Sequence, residues 1–241
     1  MFFSVLKIVA YLVELHSMRV LAMIRGLPVD PLPRYTTEQK QLLNGTLKTL
    51  QADWKRVLAK HPGARPSLKR IGQHFLRFHA IIEDLPAFLN RKRSKQAEDL
   101  SHLPALAGFP AYFRKNYHYQ TDGYFSERSA LRYDHQIELL FVGMGHVLRK
   151  VGYSLLGERL PSRARVLEFG AGTGTSGDQF KQLYPDAELT LLDLSPQYLA
   201  FAQKTYPGRF HSVRPLAIES LDDDVSYDCA FSSFTMHEIP S

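Results

Sequence analysis

A glycine-rich turn directly after an apolar run is the part of the sequence best suited to hold a ligand. In VLEFGAGTGTSG, residues 166–177, the glycines at 170, 172 and 174 alternate with other residues and let the backbone approach a ligand closely. A triphosphate loop needs Lys and then Ser or Thr after its last glycine. Thr-Ser-Gly follows Gly174 instead, which excludes a triphosphate loop. The dinucleotide pattern G-x-G-x-x-G is matched by 172, 174 and 177.

A carboxylate just before the turn favours one class of ligand. We expect Glu168 to point toward the ligand over the N-terminus of the next helix, where it would repel a pyrophosphate. Two unit charges about 4 Å apart interact by roughly 4 kcal/mol at an effective dielectric of 20. S-adenosylmethionine carries an ammonium and a sulfonium, so it fits better than NAD. A tight strand–helix turn without any ligand is the alternative.

A second acidic residue ends the next apolar run, in LTLLDLS. Asp193 is placed to accept hydrogen bonds from both hydroxyls of a ribose, and we expect Leu194 to lie beside the adenine. NAD enzymes share this feature, so it indicates a nucleoside without choosing between cofactors. The alternative for Asp193 is a helix N-cap, a role that Ser195 could also fill.

Hydrophobic patterns predict a helical front half and an α/β back half. Runs with strand character at 165–169, 188–193, 210–213 and 228–233 alternate with helix-like segments at 175–184 and 196–205, which is typical of a parallel sheet. Upstream, apolar residues at helical spacing predict helices over 37–60, from 68 to 85, and from near Ser126 to Leu148. Residues 86–113 are predicted to be irregular.

The predicted architecture has two parts that meet near residue 160. Residues 1–160 form an α-helical N-terminal region, a candidate lid or substrate region. Residues 161–241 form a Rossmann-like parallel sheet of about four strands that is incomplete at its C-terminus. The fold class is therefore α/β, preceded by an α-helical region.

Three segments, VLEFGAGTG, LLDLSPQYLAFAQ and YDCAFSSFTMHEIP, resemble the class I S-adenosylmethionine-dependent methyltransferases. The resemblance covers about residues 164–241 and implies S-adenosylmethionine as the cofactor. One departure is RPLAIESLDDD, which offers Ala217, Glu219 and Asp222 where many members have an Asp and a small residue; Glu219 could reach the adenine amino group. The cofactor-binding residues that the resemblance implies are Glu168, Gly170, Ala171, Gly172, Gly174, Asp193, Leu194, Glu219 and Ser232.

The segment YHYQTDGYFSERSALRYDHQIELLF, residues 117–141, resembles a segment that precedes the cofactor domain in a group of bacterial methyltransferases of undefined substrate. The resemblance implies that this region covers the cofactor cleft. Its aromatic residues suit a lid that excludes water, and their rings could hold a methyl-bearing cation. Ordinary interdomain packing is the alternative. These aromatic residues are Tyr117, Tyr119, Tyr124 and Phe125, and His118, Gln120 and Asp122 beside them could orient a substrate.

Methyl transfer by in-line displacement needs positioning and desolvation of the reactants, and a general base only when the nucleophile is protonated. His118 and His237 are the candidate bases, with a structural role as the alternative for each. Glu238 is expected near the surface. No His-x-x-x-His pair or Cys/His cluster occurs, and His135 with Glu138 one turn later is a weak signal, so no metal site is predicted.

Charge is unevenly distributed along the chain. Residues 1–163 contain 25 Lys and Arg against 13 Asp and Glu, whereas residues 164–241 contain five against eleven. Such a basic region could contact nucleic acid or an anionic membrane, but scattered basic residues favour an ordinary solvated surface. We therefore predict a small-molecule substrate and no nucleic-acid partner. The single cysteine, Cys229, fits a reducing cytoplasm.

The first 24 residues are strongly apolar, but Lys7, Glu14 and Arg19 interrupt them. They are predicted to form a helix docked on the protein, with Lys7, Glu14 and Arg25 on one side of it. Peripheral contact of this helix with a membrane is the alternative.

The end of the sequence raises a further expectation. The resemblance implies a seven-stranded sheet in the order 3-2-1-4-5-7-6, and this sequence ends at HEIPS after the fourth strand. We expect a truncated chain that keeps the nucleoside-binding residues and has little methyltransferase activity alone. Two other functions remain open: a non-catalytic cofactor-binding or scaffold protein, and an NAD(P)-dependent oxidoreductase.

Overall fold

The computed structural model describes residues 2–27, 29, 36–60, 70–94, 100, 106–156, 159–221 and 225–239. Asp222 lies outside these residues, as does most of the proline-rich segment between the first two helices. The helices are α1 Phe2–Ile24, α2 Thr37–Lys60, α3 Arg70–Ser94, α4 Glu127–Leu140, α5 Gly145–Ser154, α6 Thr175–Leu183 and α7 Pro196–Thr205. The strands are β1 Arg165–Phe169, β2 Glu188–Asp193, β3 Ser212–Pro215 and β4 Cys229–Phe231.

The four strands form one parallel sheet in the order β3-β2-β1-β4. Val166 of β1 pairs with Leu189 of β2, and both are fully buried. Parallel strands covered on both faces are expected to be mainly apolar, and the buried centres of β1 and β2 are so apart from Glu168 and Thr190. The predicted Rossmann-like sheet of four strands behind a helical region is confirmed, with β3 starting two residues later than predicted.

The hydrophobic core runs through both halves of the chain. Trp54 and Val57 of α2 and Tyr153 of α5 belong to the same buried cluster as Val166 of β1 and Phe180 of α6. Packing is therefore continuous across residue 160. The division into a helical region and a cofactor domain at that point stays a prediction about chain organisation.

Two predictions of where helices run in the helical half were wrong. Residues from 86 onward are not all irregular, because α3 continues through Pro86 to Ser94. Proline removes one helical hydrogen bond, but tertiary contacts hold the last turns: Arg91 Nε donates to the carbonyl of Tyr119 at 2.9 Å. The helix predicted from Ser126 to Leu148 is two helices, because the left-handed residues Val142 (φ 48°) and Gly143 (φ 76°) interrupt it.

Helix α1 packs against α3 and α4, as predicted. Its polar side was assigned wrongly, because Glu14 faces inward. The Glu14 Oε1 atom lies 2.6 Å from His74 Nε2, and Oε2 lies 2.9 Å from His135 Nε2. One carboxylate thus joins three helices, since a buried charge is tolerated when it is hydrogen-bonded. Among the described helices, none has the length and apolar composition that a bilayer crossing requires.

Replacing Glu14 with Ala is expected to lower the free energy of unfolding by about 1–3 kcal/mol near pH 7.5, because the buried imidazole of His135 and the half-buried imidazole of His74 each lose a hydrogen bond. Burial opposes ionisation, but hydrogen bonds from His135 and His74 hold the pKa of Glu14 below its usual range. A carboxylate whose pKa is lowered in the folded state stabilises the fold at neutral pH and loses that effect as the pH falls through its folded pKa. The difference between wild type and Glu14→Ala should therefore be lost once Glu14 becomes protonated in acid.

Urea unfolding at several pH values measures this effect, with Glu38→Ala on the exposed start of α2 as the control. Equal unfolding free energies for the wild type and Glu14→Ala at pH 7.5 would show that the Glu14 carboxylate does not hold α1 against α3 and α4.

Candidate functional site

A cavity opens at the carboxyl ends of β1 and β2, where the glycine-rich turn leaves the sheet. Open parallel α/β sheets bind ligands at this edge. Residues from both halves of the chain line it. They are Tyr112, Phe113, Tyr117, Tyr124, Tyr133, Phe169, Gly170, Gly172, Leu192, Asp193, Leu194, Tyr198, Leu216, Ala217, Ile218, Glu219, Thr235, Glu238 and Ile239.

The three alternating glycines of the turn all have positive φ, but their surroundings differ. A Cβ on Gly170 would lie 2.4 Å from Thr235 Cγ2, and one on Gly174 would lie 2.8 Å from Ala202 Cβ. A Cβ on Gly172 would meet only Tyr198, at 3.8 Å. The expectation that all three keep space for the ligand was wrong, because Gly170 and Gly174 are needed for packing. Gly172 alone leaves its space to the cavity.

Glu168 is oriented differently from the prediction. Its side chain is fully buried, does not line the cavity, and lies close enough to α6 for Oε2 to be 2.7 Å from a Cβ placed on Gly177. Neither carboxylate oxygen has a hydrogen-bond partner of good geometry among the described residues. Burial raises the pKa of Glu168 to about 8, so this carboxyl is largely protonated at neutral pH. The carboxylate that faces the ligand must come from elsewhere.

Asp193 lies at the end of β2 and lines the cavity, as predicted. Its Oδ2 accepts a hydrogen bond from the Gly172 backbone N–H and its Oδ1 accepts one from the Ser195 N–H, both at 2.7 Å. Ser195 rather than Asp193 caps α7, because its hydroxyl accepts from Tyr198 N at 3.0 Å. Asp193 thereby joins the glycine turn to the start of α7 and retains free lone pairs toward the cavity.

The N-terminus of α6 already has an anionic partner. Asp134 of α4 accepts hydrogen bonds from Thr173 Oγ1 at 2.8 Å and from Thr175 Oγ1 at 2.7 Å. Thr175 begins α6, and a helix N-terminus attracts negative charge. Dinucleotide-binding folds place a pyrophosphate at this position. Here a carboxylate of the protein itself, that of Asp134, lies beside the N-terminus of α6.

Aromatic residues of the front half form one wall of the cavity. Tyr117 and Tyr124 are stacked, with ring centroids 5.6 Å apart and planes at 15°. Tyr198 of α7 meets Tyr124 edge to face at 5.4 Å. Burial raises the pKa of Tyr112 to about 12, and the pKa of Tyr124 well above its usual value, so both keep their hydroxyl protons at neutral pH.

The proposed lid residues do not all lie at the cavity. Tyr117 and Tyr124 line it, whereas Phe125 packs behind them on Phe113, and Tyr119 contacts Phe88 of α3. Glu219 lines the cavity and accepts a hydrogen bond from Tyr112 Oη at 3.0 Å. Two of the four named aromatic residues therefore line the cavity, and the covering role of the front half stays a prediction.

Glu238 differs from the expectation that it lies on the surface. It lines the cavity, and its Oε1 accepts a hydrogen bond from Tyr124 Oη at 2.6 Å. His118 Nε2 lies 3.1 Å from the same oxygen, and His237 Nε2 lies 3.4 Å from His118 Nε2. The hydrogen bond with Glu238 raises the pKa of His118, although burial opposes this. The two candidate bases thus adjoin one another and share a carboxylate.

The charge of the cavity wall has one sign. Asp193, Glu219 and Glu238 contribute carboxylates, and among the described residues that line the cavity there is no Lys, Arg or His. Burial raises the pKa of Asp193 to about 6, below neutrality, so its charge remains at pH 7. A cavity lined in this way attracts a cationic ligand and repels a pyrophosphate.

Of the nine cofactor-binding residues predicted from the sequence, five line the cavity and four do not. Ala171 is buried in the turn, and Ser232 has a buried hydroxyl without a partner among the described residues. The sequence analysis did not predict three other lining residues, Tyr133, Tyr198 and Thr235. They lie on helices or in a turn, and the sequence does not specify which way these elements face the cavity. The lining residues that were predicted are Gly170, Gly172, Asp193, Leu194 and Glu219.

Comparison with known proteins finds similarity to methyltransferases. Residues 167–241 match a family model described as a methyltransferase domain. A malonyl-[acyl-carrier protein] O-methyltransferase of Bacillus cereus is 33% identical over 95 residues, which cover 37% of this chain and 35% of the relative. The ribosomal RNA small subunit methyltransferase C of Pasteurella multocida is 44% identical over 57 residues, covering 23% of this chain and 17% of the relative.

Two solved structures resemble the chain at low identity. The S-adenosylmethionine-dependent methyltransferase SibL has 17% identity and a TM-score of 0.32, with 89% of this chain and 55% of that chain covered. The CurJ carbon methyltransferase has 15% identity and a TM-score of 0.32, covering 92% and 53%. The chain spans about a third or less of the curated relatives and just over half of these two structures. Residues 167–241, about a third of the chain, are therefore similar to a methyltransferase domain.

Proposed function

We propose that the chain binds S-adenosylmethionine in the cavity beside the glycine-rich turn and transfers its methyl group to a small-molecule acceptor. The observation that carries this proposal is the acidic wall formed by Asp193, Glu219 and Glu238, with no cationic side chain among the described lining residues. An NAD(P)-dependent oxidoreductase would need to hold a pyrophosphate here, and Asp134 already meets the threonines at the N-terminus of α6.

The residues of the cavity fit the parts of this cofactor. Gly172 leaves its Cβ position open, so the backbone can be approached closely. Asp193 has lone pairs for ribose hydroxyls, and Leu194 and Glu219 are available to the adenine ring and its amino group. When bound, S-adenosylmethionine supplies an electrophilic methyl group on a sulfonium sulfur.

The chain's own contribution is to hold the acceptor and exclude water. Stacked Tyr117 and Tyr124 and the neighbouring Tyr133 present rings over the cavity, and rings attract a methyl-bearing cation. Fixing two reactants in line removes much of the entropy barrier of a bimolecular step. If the acceptor nucleophile is protonated, His118 or His237 is the candidate to remove the proton at its Nε2 atom.

A small acceptor is proposed because of the cavity's charge. Glu219 and Glu238 at the cavity would repel nucleic-acid phosphates, which disfavours an acceptor like that of the Pasteurella relative.

We propose a cytoplasmic location. The exposed apolar side chains Leu12, Val13, Met23 and Ile24 on α1 support peripheral membrane contact as an addition to it.

Titration calorimetry with the purified 241-residue chain tests the cofactor assignment. S-adenosylmethionine should bind and NAD should not, and any S-adenosylhomocysteine formed when a metabolite library is added would identify the class of acceptor. Binding without turnover on any acceptor would favour a non-catalytic cofactor-binding protein. Binding of NAD in place of S-adenosylmethionine would contradict the proposal.

Replacing Gly172 with Val is expected to abolish S-adenosylmethionine binding, because a branched side chain would fill the space beside the turn. The change also forces a β-branched residue into a left-handed backbone, since φ of Gly172 is 54°. Gly208→Val is the matched control: Gly208 has φ 66° and nothing within 4 Å of its Cβ position. Calorimetry should show affinity retained in Gly208→Val. Retention in both variants would be incompatible with ligand binding at this turn.

Replacing Asp193 with Asn is expected to weaken S-adenosylmethionine binding by about 1–3 kcal/mol, because charged hydrogen bonds to the ribose are lost. Burial, with Glu238 nearby, raises the pKa of Asp193 to about 6, so wild-type affinity should fall as the pH drops through about 6. Affinity falls on acidification because both the cationic cofactor and its ribose hydroxyl donors bind the deprotonated carboxylate of Asp193 better than the protonated form. This component of the pH dependence should be absent from Asp193→Asn.

Asp186→Asn, an exposed acidic residue before β2, controls for the loss of one negative charge. Affinities of both variants are measured by calorimetry between pH 5 and pH 8. If Asp193→Asn and Asp186→Asn bind the cofactor equally well, Asp193 is not a cofactor ligand.

A further inference from the structure

Three potential metal ligands converge beside the cavity from two distant parts of the sequence. His118 lies in the 3-10 turn Tyr117–Tyr119, whereas His237 and Glu238 follow β4. The Nε2 atoms of His118 and His237 lie 3.1 and 3.7 Å from Glu238 Oε1, and 3.4 Å from each other. These three atoms therefore form a nearly equilateral triangle.

Hydrogen bonding alone does not account for this triangle. Glu238 Oε1 already accepts the Tyr124 hydroxyl at 2.6 Å, and 3.7 Å is too long for a hydrogen bond from His237. If His118 Nε2 carries a proton toward Glu238, it cannot accept one from His237 at 3.4 Å. If both imidazoles are neutral, either the contact of His118 with Glu238 or its contact with His237 lacks a proton between the two atoms. If both imidazoles are protonated, two positive charges lie side by side.

A single ion would use all three lone pairs at once. Ligand atoms at about 2.0–2.2 Å from a tetrahedral Zn²⁺ are separated from one another by roughly 3.3–3.6 Å. The observed separations of 3.1, 3.4 and 3.7 Å bracket that range. We propose that His118, His237 and Glu238 bind a divalent first-row transition-metal ion, for which Zn²⁺ is the reference.

The donor set identifies the class of ion. Two imidazoles and one carboxylate suit zinc and iron-like ions, whereas Mg²⁺ and Ca²⁺ prefer oxygen ligands alone. Three protein ligands leave at least one coordination position open, as in catalytic rather than structural zinc sites. The imidazoles of His118 and His237 are 52% and 58% exposed, and Glu238 lines the cavity, so the open position is accessible to solvent and acceptor.

The backbone at the first ligand is unusual in a way that fits a built site. His118 has φ 52° and ψ 29°, and the next residue, Tyr119, has φ 59°. Non-glycine residues in this region are strained, and they persist where surrounding structure holds them, often at ligand sites. Here the strained turn directs the imidazole of His118 at His237 and Glu238.

The ion would select an acceptor that offers an oxygen ligand, and this part rests on the proposed function. A hydroxyl or enol oxygen bound to the ion gives up its proton more readily, and the proton passes to solvent. The oxygen then forms its bond to the methyl carbon as the carbon–sulfur bond breaks, and the electron pair stays on the thioether sulfur. The ion is neither oxidised nor reduced.

A second histidine–carboxylate group provides an internal comparison. Glu14, His74 and His135 also lie close together, but each carboxylate oxygen of Glu14 faces one imidazole, at 2.6 and 2.9 Å. Both contacts are hydrogen bonds with separate acceptor atoms, so this buried group is satisfied without an ion. It is the alternative place for a bound metal ion, and the experiment must distinguish the two.

The experiment titrates Zn²⁺, and Co²⁺ as a spectroscopic probe, into the full chain after treatment with a chelator and without cofactor. Wild type should bind one equivalent. His118→Ala and His237→Ala should each lower the affinity by more than the roughly 10–100-fold that loss of an outer-shell partner costs, and should alter the visible spectrum of bound Co²⁺. His79→Ala, which removes an exposed histidine 3.8 Å from Glu83 on α3, should leave both unchanged.

Three results would overturn the metal site. These are no Zn²⁺ binding by wild type, equal affinity in wild type, His118→Ala and His237→Ala, or loss of binding only in His74→Ala. In the first case, turnover that is insensitive to chelator yet lost in His118→Ala would assign the pair to proton transfer. If Zn²⁺ binds as expected while S-adenosylmethionine does not, the proposed function fails and the metal site stands.

Discussion

The hydrogen bonds that Asp134 accepts from Thr173 and Thr175 join the helical half of the chain to the turn that shapes the cavity. Asp134 is buried on α4, and Arg77 of α3 lies 3.4 Å from it, so its charge is compensated on the helical side. Since α4 also follows the segment that carries Tyr117 and Tyr124, fixing α4 on the turn fixes the aromatic wall over the cavity. One carboxylate thus helps to hold both walls in place.

Carboxyl groups near the site differ in charge because their environments differ. Glu168 lies behind β1 without a good partner, and burial raises its pKa to about 8, whereas Asp193 receives two backbone N–H groups and its pKa rises only to about 6. Hydrogen bonds to the charged form offset part of the effect of burial. The negative charge of the cavity therefore comes from the end of β2 and from residues that follow β3 and β4, rather than from β1.

The sequence predicted the sheet, its helices and the start of α4 well because these depend on local patterns. Ser126 caps α4 by accepting from Ser129 N, and Asp193 ends its strand as expected. Patterns in single segments could not predict that Pro86 lies inside a helix, since contacts of Arg91 with a distant loop hold the last turns. They also could not predict the orientation of Glu168.

The grouping of His118 with His237 and Glu238 was inaccessible for the same reason. More than a hundred residues separate the first ligand from the other two, and no spacing rule relates them. Likewise, Gly170 and Gly174 resemble ligand-binding glycines in sequence, and only their neighbours Thr235 and Ala202 show that packing requires them. Local periodicity determines elements, whereas long-range packing determines which side chains meet.

The bonds between the aromatic wall and the opposite side of the cavity have a kinetic consequence. Ser195 Oγ donates to the carbonyl of Tyr124, and Tyr124 Oη donates to Glu238, so the same residue is held at both its backbone and its side chain. A ligand whose entry requires Tyr124 to move must first open both of these hydrogen bonds. Association would then be limited by the frequency of that opening rather than by diffusion, and a bound molecule would be retained for as long as Tyr124 stays in place.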